Sequence, residues 1–174
     1  MILIACDSFK DSLPAIEVCK AIQKGIQLSD YQGDVKIIPL ADGGEGTSEI
    51  LTYHSKGIFQ KLQVSDPLFR IINSNFGLSK DGKTAFLDLA NASGLQLLKS
   101  SERNPLKTTT LGVGEMILET AKLGVEKIIL GIGGSATNDC GMGMATALGY
   151  RFLDKSGKEL KPIGKNLIKV SKID

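Results

Sequence analysis

Three separated segments of the sequence combine glycines with hydroxyl, amine and carboxylate side chains, and each follows an apolar run. They cover residues 7–10, 42–46 and 131–139. Glycines let a backbone approach an anionic ligand closely, and amide and hydroxyl groups donate hydrogen bonds to phosphate oxygens. The pattern predicts a site for a phosphate-bearing ligand. The residues that we assign to binding are Asp7, Ser8, Lys10, Gly43, Gly44, Glu45, Gly133, Gly134, Ser135, Thr137 and Asn138.

Each of these segments also carries an aspartate: Asp7, Asp42 or Asp139. A carboxylate repels bare phosphate, so its position beside such donors indicates Mg²⁺ coordination or removal of a proton from an attacking hydroxyl. Phosphoryl transfer needs both kinds of group. We assign Asp42 and Asp139 as candidate metal ligands and candidate bases, and Lys10 as a third candidate catalytic group. Capping of a helix N-terminus is the alternative role for Asp7 and Asp42.

Two other phosphate-binding motifs are matched formally. Residues 77–84 fit GxxxxGK[ST], but the stretch after Lys83 is strand-like and the Asp-Gly pair before it is typical of a hairpin turn, which favours a solvated turn lysine. Residues 131–136 follow a strand and fit the dinucleotide pattern GxGxxA, with Asp154 as a candidate ribose ligand. Asp139 would repel a pyrophosphate there, and Asp154 fits a hairpin turn better.

The remaining chemistry-bearing residues are few. His54 is the only histidine, at the end of a predicted helix, where contact with the last carbonyls is expected. Arg70 and Arg103 could each hold a substrate carboxylate, although surface charge is the commoner role. The three cysteines have no CxxC spacing, so we predict reduced thiols and neither a disulfide framework nor a zinc site.

In the first part of the chain, predicted strands and helices alternate, and they position the first two segments. Residues 2–6 and 35–40 read as buried strands, each followed by a helix, the first from Pro14 and the second ending near His54. This β-α-β-α order predicts a parallel sheet with ligands at the carboxyl ends of its strands. Residues 57–89 switch to strand-like stretches separated by turns, which favours antiparallel hairpins.

Further along, a helix through Met116 leads to a strand at residues 127–130 and then to the third segment. A hairpin is expected at 150–160, and the tail beyond Lys161 shows no pattern that would close a sheet. We place a domain boundary at residue 65, with part of a doubly wound α/β domain at 1–65 and part of a second, mixed-sheet domain at 66–174.

Composition limits the function classes. The chain has 174 residues, 42% of them hydrophobic, and a net charge of +2, which is typical of a globular protein without a basic surface for nucleic acid. Only six residues precede Asp7, which is too short an apolar stretch for a signal peptide. No apolar run approaches membrane-spanning length. We expect a cytoplasmic protein with a small-molecule substrate and no nucleic-acid or membrane partner; its oligomeric state stays open.

The motifs at residues 7–13, 41–47, 103–106 and 131–139 together resemble the bacterial glycerate kinase family, in the same order and over essentially the whole chain. The resemblance implies ATP-dependent phosphorylation of D-glycerate, at the 2-hydroxyl, with Mg²⁺. It also implies two α/β domains facing a cleft, one doubly wound and the other inserted into it. Cys6 and Cys140 depart from the family pattern, which has proline and glycine there.

Members of that family are longer, so the resemblance implies that this is an N-terminal portion, without the segments that complete the first sheet. Two readings compete with the kinase. One is a nicotinamide-dependent oxidoreductase that uses residues 131–136 as its dinucleotide loop. The other is an inactive fragment that binds anions without turnover.

Overall fold

The structure is a computed structural model that describes residues 1–10 and 12–174. The chain begins with β1 (Ile2–Ile4), α1 (Ala15–Gln27), β2 (Val35–Ile37) and α2 (Thr47–His54), the alternation expected from the sequence. β1 and β2 pair in parallel, so their carboxyl ends lie at one edge. α1 buries Ala15, Val18 and Cys19, which its helical periodicity places on one face.

The second sheet has four strands in chain order: β3 (Ile58–Ser65), β4 (Ile71–Leu78), β5 (Thr84–Asp88) and β6 (Lys127–Gly131). β3, β4 and β5 are antiparallel neighbours, as the sequence predicted, and β6 joins β5 in parallel. α3 (Ala90–Ser93) and α4 (Leu111–Lys122) lie between β5 and β6 in the chain. The buried core joins this sheet to α3 and α4 through Val64, Phe76, Ala85, Leu87, Ala92, Val113 and Met116.

The C-terminal part contains α5 (Met142–Ala147), β7 (Phe152–Leu153), a 3₁₀ segment (Gly164–Lys169) and β8 (Lys172–Ile173). β8 pairs antiparallel with β7, so the tail beyond Lys161 does contribute a short strand, although its sequence shows no pattern that would close a sheet. A strand of two residues is too short to show a period of two in the sequence. No helix among the described residues combines the length and apolar character needed to cross a membrane.

Strand pairing bears on the boundary predicted at residue 65. β3 pairs with β4 along its whole length, from Ile58 opposite Leu78 to Ser65 opposite Ile71, so a division at 65 would cut through one sheet. α2 also packs on this sheet, where a Cβ at Gly77 would overlap the Thr52 hydroxyl. The change in sequence pattern near residue 65 therefore marks a turn between paired strands.

Candidate functional site

One cleft collects the ends of three strands. Its lining comes from residues 7–10 and 12–15 after β1, residues 40–46 after β2, and residues 130–134 at the end of β6. Its volume is about 880 Å³, within the range of small-molecule sites. The lining includes many of the residues assigned from sequence: Asp7, Ser8, Lys10, Asp42, Gly43, Gly44, Glu45, Gly133 and Gly134.

The floor of the cleft is a contact between two glycine segments that are distant in sequence. The Gly133 amide donates to the Gly43 carbonyl oxygen at 2.9 Å. A Cβ on Gly133 would lie 2.6 Å from the Gly44 Cα, closer than carbon atoms can approach. Glycine is therefore required at 133 for the two segments to meet.

Most amides of residues 43–48 are already engaged within the protein. Asp42 accepts the Gly44 amide at 2.9 Å, and the Gly44 carbonyl accepts the Thr47 amide at 3.2 Å. The amides of Gly46 and Ser48 both donate to Asp88, at 3.1 and 2.8 Å. The expectation that this segment wraps phosphate with its amides does not fit these contacts.

Asp88 was missed by the sequence reasoning. It ends β5 with 1% of its surface exposed, and the Ser48 hydroxyl also donates to it, at 2.9 Å. Burial raises the pKa of the Asp88 carboxyl, and the hydrogen bonds from Ser48 and Gly46 oppose that shift. The available signal was a carboxylate at the end of an apolar strand, where a parallel sheet places its functional groups.

The cleft is rich in carboxylates. Asp7, Asp42, Glu45 and Glu49 all line it, against the single lysine Lys10 among the described lining residues. None of these four carboxylates forms an ion pair with a described lysine or arginine. An anionic ligand would therefore meet net negative charge, unless a cation accompanies it.

Asp7 and Asp42 each keep one carboxylate oxygen free for such a cation. One oxygen of Asp7 accepts the Ser8 amide at 2.6 Å, and one oxygen of Asp42 accepts the Gly44 amide. The second oxygen of each accepts no hydrogen bond from the described residues. Among those residues no group of three or more acidic, histidine or cysteine side chains could form a metal cage.

Asp139 lies away from the cleft, in contrast to its assignment as a metal ligand and base. Only 1% of its surface is exposed, and its carboxylate accepts the amides of Thr110, Gly141 and Gly143. A carboxylate buried and bonded in this way caps the start of α5 and has no free access to a substrate. The sequence could not show this, because Thr110 contributes from the start of another helix.

The rest of the third segment also stays outside the lining. The hydroxyls of Ser135 and Thr137 bond to each other at 2.8 Å, and the Thr137 amide donates to the Ser135 hydroxyl. Asn138 is exposed beyond them. The structure therefore brings residues 131–134 to the cleft and turns residues 135–139 away from it.

Neither predicted arginine lines the cleft. The Arg70 guanidinium pairs with Asp66 and with Glu102, and the hydrogen bond to Asp66 is the main cause that raises the pKa of Arg70. Arg103 is exposed and donates weakly to the Leu95 carbonyl at 3.5 Å. These two residues have the surface and structural roles that were the commoner expectation.

The two formal motif matches take the structures that the turn residues predicted. Asp81 accepts the Ser79 hydroxyl and the Lys83 amide in the β4–β5 turn, and Lys83 pairs with Glu126 on the surface. Asp154 accepts the Ser156 hydroxyl in the turn after β7, and this bond lowers its pKa. Both aspartates are turn residues.

His54 ends α2, as predicted, but its Nε2 contacts the Pro39 carbonyl at 2.8 Å rather than a helix carbonyl. Sequence reasoning also missed four apolar residues at the cleft, exposed by 43–71%, and the polar Gln96. Exposed apolar side chains leave no periodic signal in a loop. The four are Phe9, Leu13, Leu40 and Ile132.

Taken together, the fold and the site define a class: an α/β protein whose acidic, glycine-floored cleft lies at the carboxyl ends of parallel-paired strands. A sequence profile of the glycerate kinase family matches residues 2–174. The chain belongs to the glycerate kinase family.

Individual relatives are similar in sequence to almost the whole of this chain. The glycerate kinase of Bacillus cereus is 47% identical over 173 residues, and the glycerate 2-kinase of Escherichia coli is 45% identical over 173 residues. These matches cover 99% of this chain and 45% of each relative. A crystal structure assigned as glycerate kinase 2 of Salmonella typhimurium LT2 matches with a TM-score of 0.86 and 45% identity, over 99% of this chain and 46% of that one. The chain thus spans just under half the length of the relatives it matches.

Proposed function

We propose that this chain carries the substrate cleft of an ATP-dependent kinase that phosphorylates D-glycerate at its 2-hydroxyl. Family membership supports the phosphorylation of glycerate, and the name of the Escherichia coli relative supports the 2-position. The observation that carries the proposal is the convergence of residues 7–10, 42–46 and 131–134 on one cleft. Phosphoryl transfer depends on positioning and charge neutralisation, which such a cleft can provide.

In this proposal the lining residues that follow β1 and those that follow β2 have different roles. Lys10 and Ser8 bind the carboxylate of glycerate or the transferred phosphoryl group, because they are exposed donors among the lining residues that follow β1. Asp42 accepts the proton of the attacking hydroxyl. Its free oxygen and its exposure in the cleft favour it over Asp139, whose carboxylate is buried elsewhere.

Mg²⁺ fits the donor set of this cleft. Magnesium in phosphoryl-transfer sites is usually held by one or two carboxylates together with substrate phosphates, so the lack of a protein cage is consistent with it. Asp7 would hold it together with the substrate phosphates, since the free oxygen of Asp42 takes the hydroxyl proton in this proposal, and the ion would supply neutralisation of phosphate charge. The four unpaired carboxylates support the need for such a cation.

The nicotinamide alternative is weaker on the same geometry. A dinucleotide loop places the pyrophosphate at a helix N-terminus directly after the glycines. Here the next helix, α5, begins at Met142, and the carboxylate of Asp139 already accepts the amides at its start. Asp154, the candidate ribose ligand, lies in a surface turn.

The test compares the chain as it stands with a longer polypeptide, in which the unmatched part of the Bacillus cereus relative follows it. Phosphorus NMR would follow formation of 2-phosphoglycerate from Mg²⁺, ATP and D-glycerate. Asp42→Asn should lower turnover about 10²–10⁴-fold. The matched control Asp30→Asn, an exposed carboxylate outside the cleft, should leave turnover unchanged.

Near-normal turnover of the Asp42→Asn variant would exclude Asp42 as the base. Turnover by the longer polypeptide alone would mean that the 174-residue chain is inactive by itself, as the inactive-fragment alternative requires. Reduction of NAD⁺ in place of phosphate transfer would favour the oxidoreductase.

A further inference from the structure

We infer that Asp88 is a positioning residue for the cleft, which holds the start of α2 and, through Gly43, sets the position of the Gly133 amide. This inference rests on the proposed function only in treating the cleft as the substrate site. Asp88 is buried and is not one of the residues that line the cleft, so its role is to fix the groups that do line it.

The Asp88 carboxylate accepts hydrogen bonds from two residues at the start of α2, Gly46 and Ser48. Oδ1 accepts the Ser48 amide, and Oδ2 accepts the Gly46 amide and the Ser48 hydroxyl, all within 3.1 Å. No described lysine or arginine forms an ion pair with it. A buried carboxylate with three such bonds fixes its donors, because leaving any of them unpaired costs free energy.

These donors belong to the N-terminus of α2, where the helix dipole favours negative charge. Asp88 supplies that charge from within the protein. The α2 N-terminus is therefore closed to a ligand phosphate, and an anionic ligand must use other donors of the lining, among them Ser8, Lys10 and the Gly134 amide.

The same carboxylate lies beside the third segment, at Gly131. A Cβ at Gly131 would come within 3.2 Å of Asp88 Oδ1 and 2.9 Å of the Gly43 carbonyl oxygen. The next residue, Leu89, donates its amide to the Gly131 carbonyl at 2.8 Å. Asp88 thus lies between the two segments whose contact forms the floor.

A continuous set of contacts follows. Asp88 fixes Gly46 and Ser48, and these residues end the segment that begins with Gly43. The Gly43 carbonyl in turn accepts the Gly133 amide. Loss of the carboxylate should therefore loosen the bond of an amide that Asp88 does not itself touch.

The chain offers a closely matched control. Glu115 on α4 accepts the amide and the hydroxyl of one serine, Ser65, at 2.6 and 3.0 Å, just as Asp88 accepts both groups of Ser48. Glu115 does not line the cleft. Glu115→Gln removes the same kind of carboxylate contact at a place where it should not affect Gly133.

Amide hydrogen exchange measured by NMR on the 174-residue chain tests the inference without any ligand. In Asp88→Asn, exchange of the Gly133 amide should quicken at least tenfold relative to the amides of β4. In Glu115→Gln, that ratio should equal the wild-type ratio. Ser48→Ala keeps the carboxylate and removes one donor, so it should give a smaller rise of the same ratio. This variant provides the test if Asp88→Asn does not fold.

An unchanged ratio for Gly133 in both Asp88→Asn and Ser48→Ala would overturn the inference. A rise spread equally over all amides would also overturn it, since that marks a purely structural role. Because this readout needs no kinase activity, absence of phosphoglycerate formation by the longer polypeptide would contradict the proposed function and leave the result for Asp88 standing.

Discussion

The carboxylate of Asp139 accepts both the backbone amide and the hydroxyl of Thr110, at 2.8 and 2.9 Å. The same hydroxyl accepts the Met144 amide at 2.9 Å. Thr110 immediately precedes α4 and Met144 lies in α5, so this one pair of residues joins the starts of two helices. Asp139 thereby has a structural role that its place in a glycine-rich motif conceals.

Asp139→Asn should therefore destabilise the fold without acting on the cleft. We expect the free energy of unfolding to fall by about 1.5–3 kcal/mol, because hydrogen bonds to a buried charged group are lost. Urea unfolding would measure it, with Asp30→Asn as the control that stays within about 0.5 kcal/mol. Wild-type stability combined with lost ligand binding would contradict this role and restore Asp139 to the site.

Gly133→Ala should separate the two glycine segments of the cleft floor. The added Cβ would overlap the Gly44 Cα. Such overpacking typically lowers the free energy of unfolding by about 1–3 kcal/mol. Gly25→Ala is the matched control, since nothing lies within 4 Å of the Cβ that it adds in the last turn of α1. Gly25→Ala should raise the free energy of unfolding by about 0.5–1 kcal/mol. Equal effects of the two variants on stability would mean that the floor contact is loose.

Cys140 occupies a backbone conformation that suits glycine. Its φ is +51°, in the left-handed region, and glycine is the residue that the family resemblance implies at this position. Its thiol is free and exposed, so no disulfide compensates for the strain. Cys140→Gly should raise the midpoint of thermal unfolding, corresponding to about 0.5–1 kcal/mol. A lower midpoint would show that the thiol makes a stabilising contact.

The raised pKa of Asp88 gives stability a defined dependence on pH. Burial disfavours the charged carboxylate in the folded state, so the contribution of Asp88 is fully present below its unfolded pKa and is lost as pH rises through the folded value. The free energy of unfolding of the wild type, minus that of Asp88→Asn, should fall as pH rises from about 4 and then level off. Urea titrations at a series of pH values would measure it. A difference that rises with pH would mean that the pKa of Asp88 is lowered.

Local patterns allowed much of the fold to be predicted. The periodicity of α1, the apolar runs of β1 and β2, and the turns at Asp81 and Asp154 depend on neighbouring residues, and the structure has each of them. The rule that strand ends of a parallel sheet share an edge accounts for the approach of residues 7–10 and 42–46, which follow β1 and β2. Residues 131–134 follow β6 in the other sheet, so their arrival at the same cleft depends on packing between the two sheets.

The parts that were not predicted depend on partners distant in sequence. Asp88 and Asp139 look alike as carboxylates beside glycines or at strand ends, and only their donors, on α2 and at the start of α4, distinguish them from cleft residues. β8 is recognised by its partner β7 and not by its own two residues. A sequence pattern carries no record of such contacts.

The most direct test is an NMR titration of the ¹⁵N-labelled 174-residue chain with D-glycerate and with Mg²⁺ and ATP. We expect saturable shifts of the amides of Ser8, Lys10, Gly43 and Gly133, no shift at the surface turn of Lys83, and no comparable response to NAD⁺. Shifts that fail to saturate, or that fall outside residues 7–10, 42–46 and 131–134, would contradict the account of one shared ligand cleft.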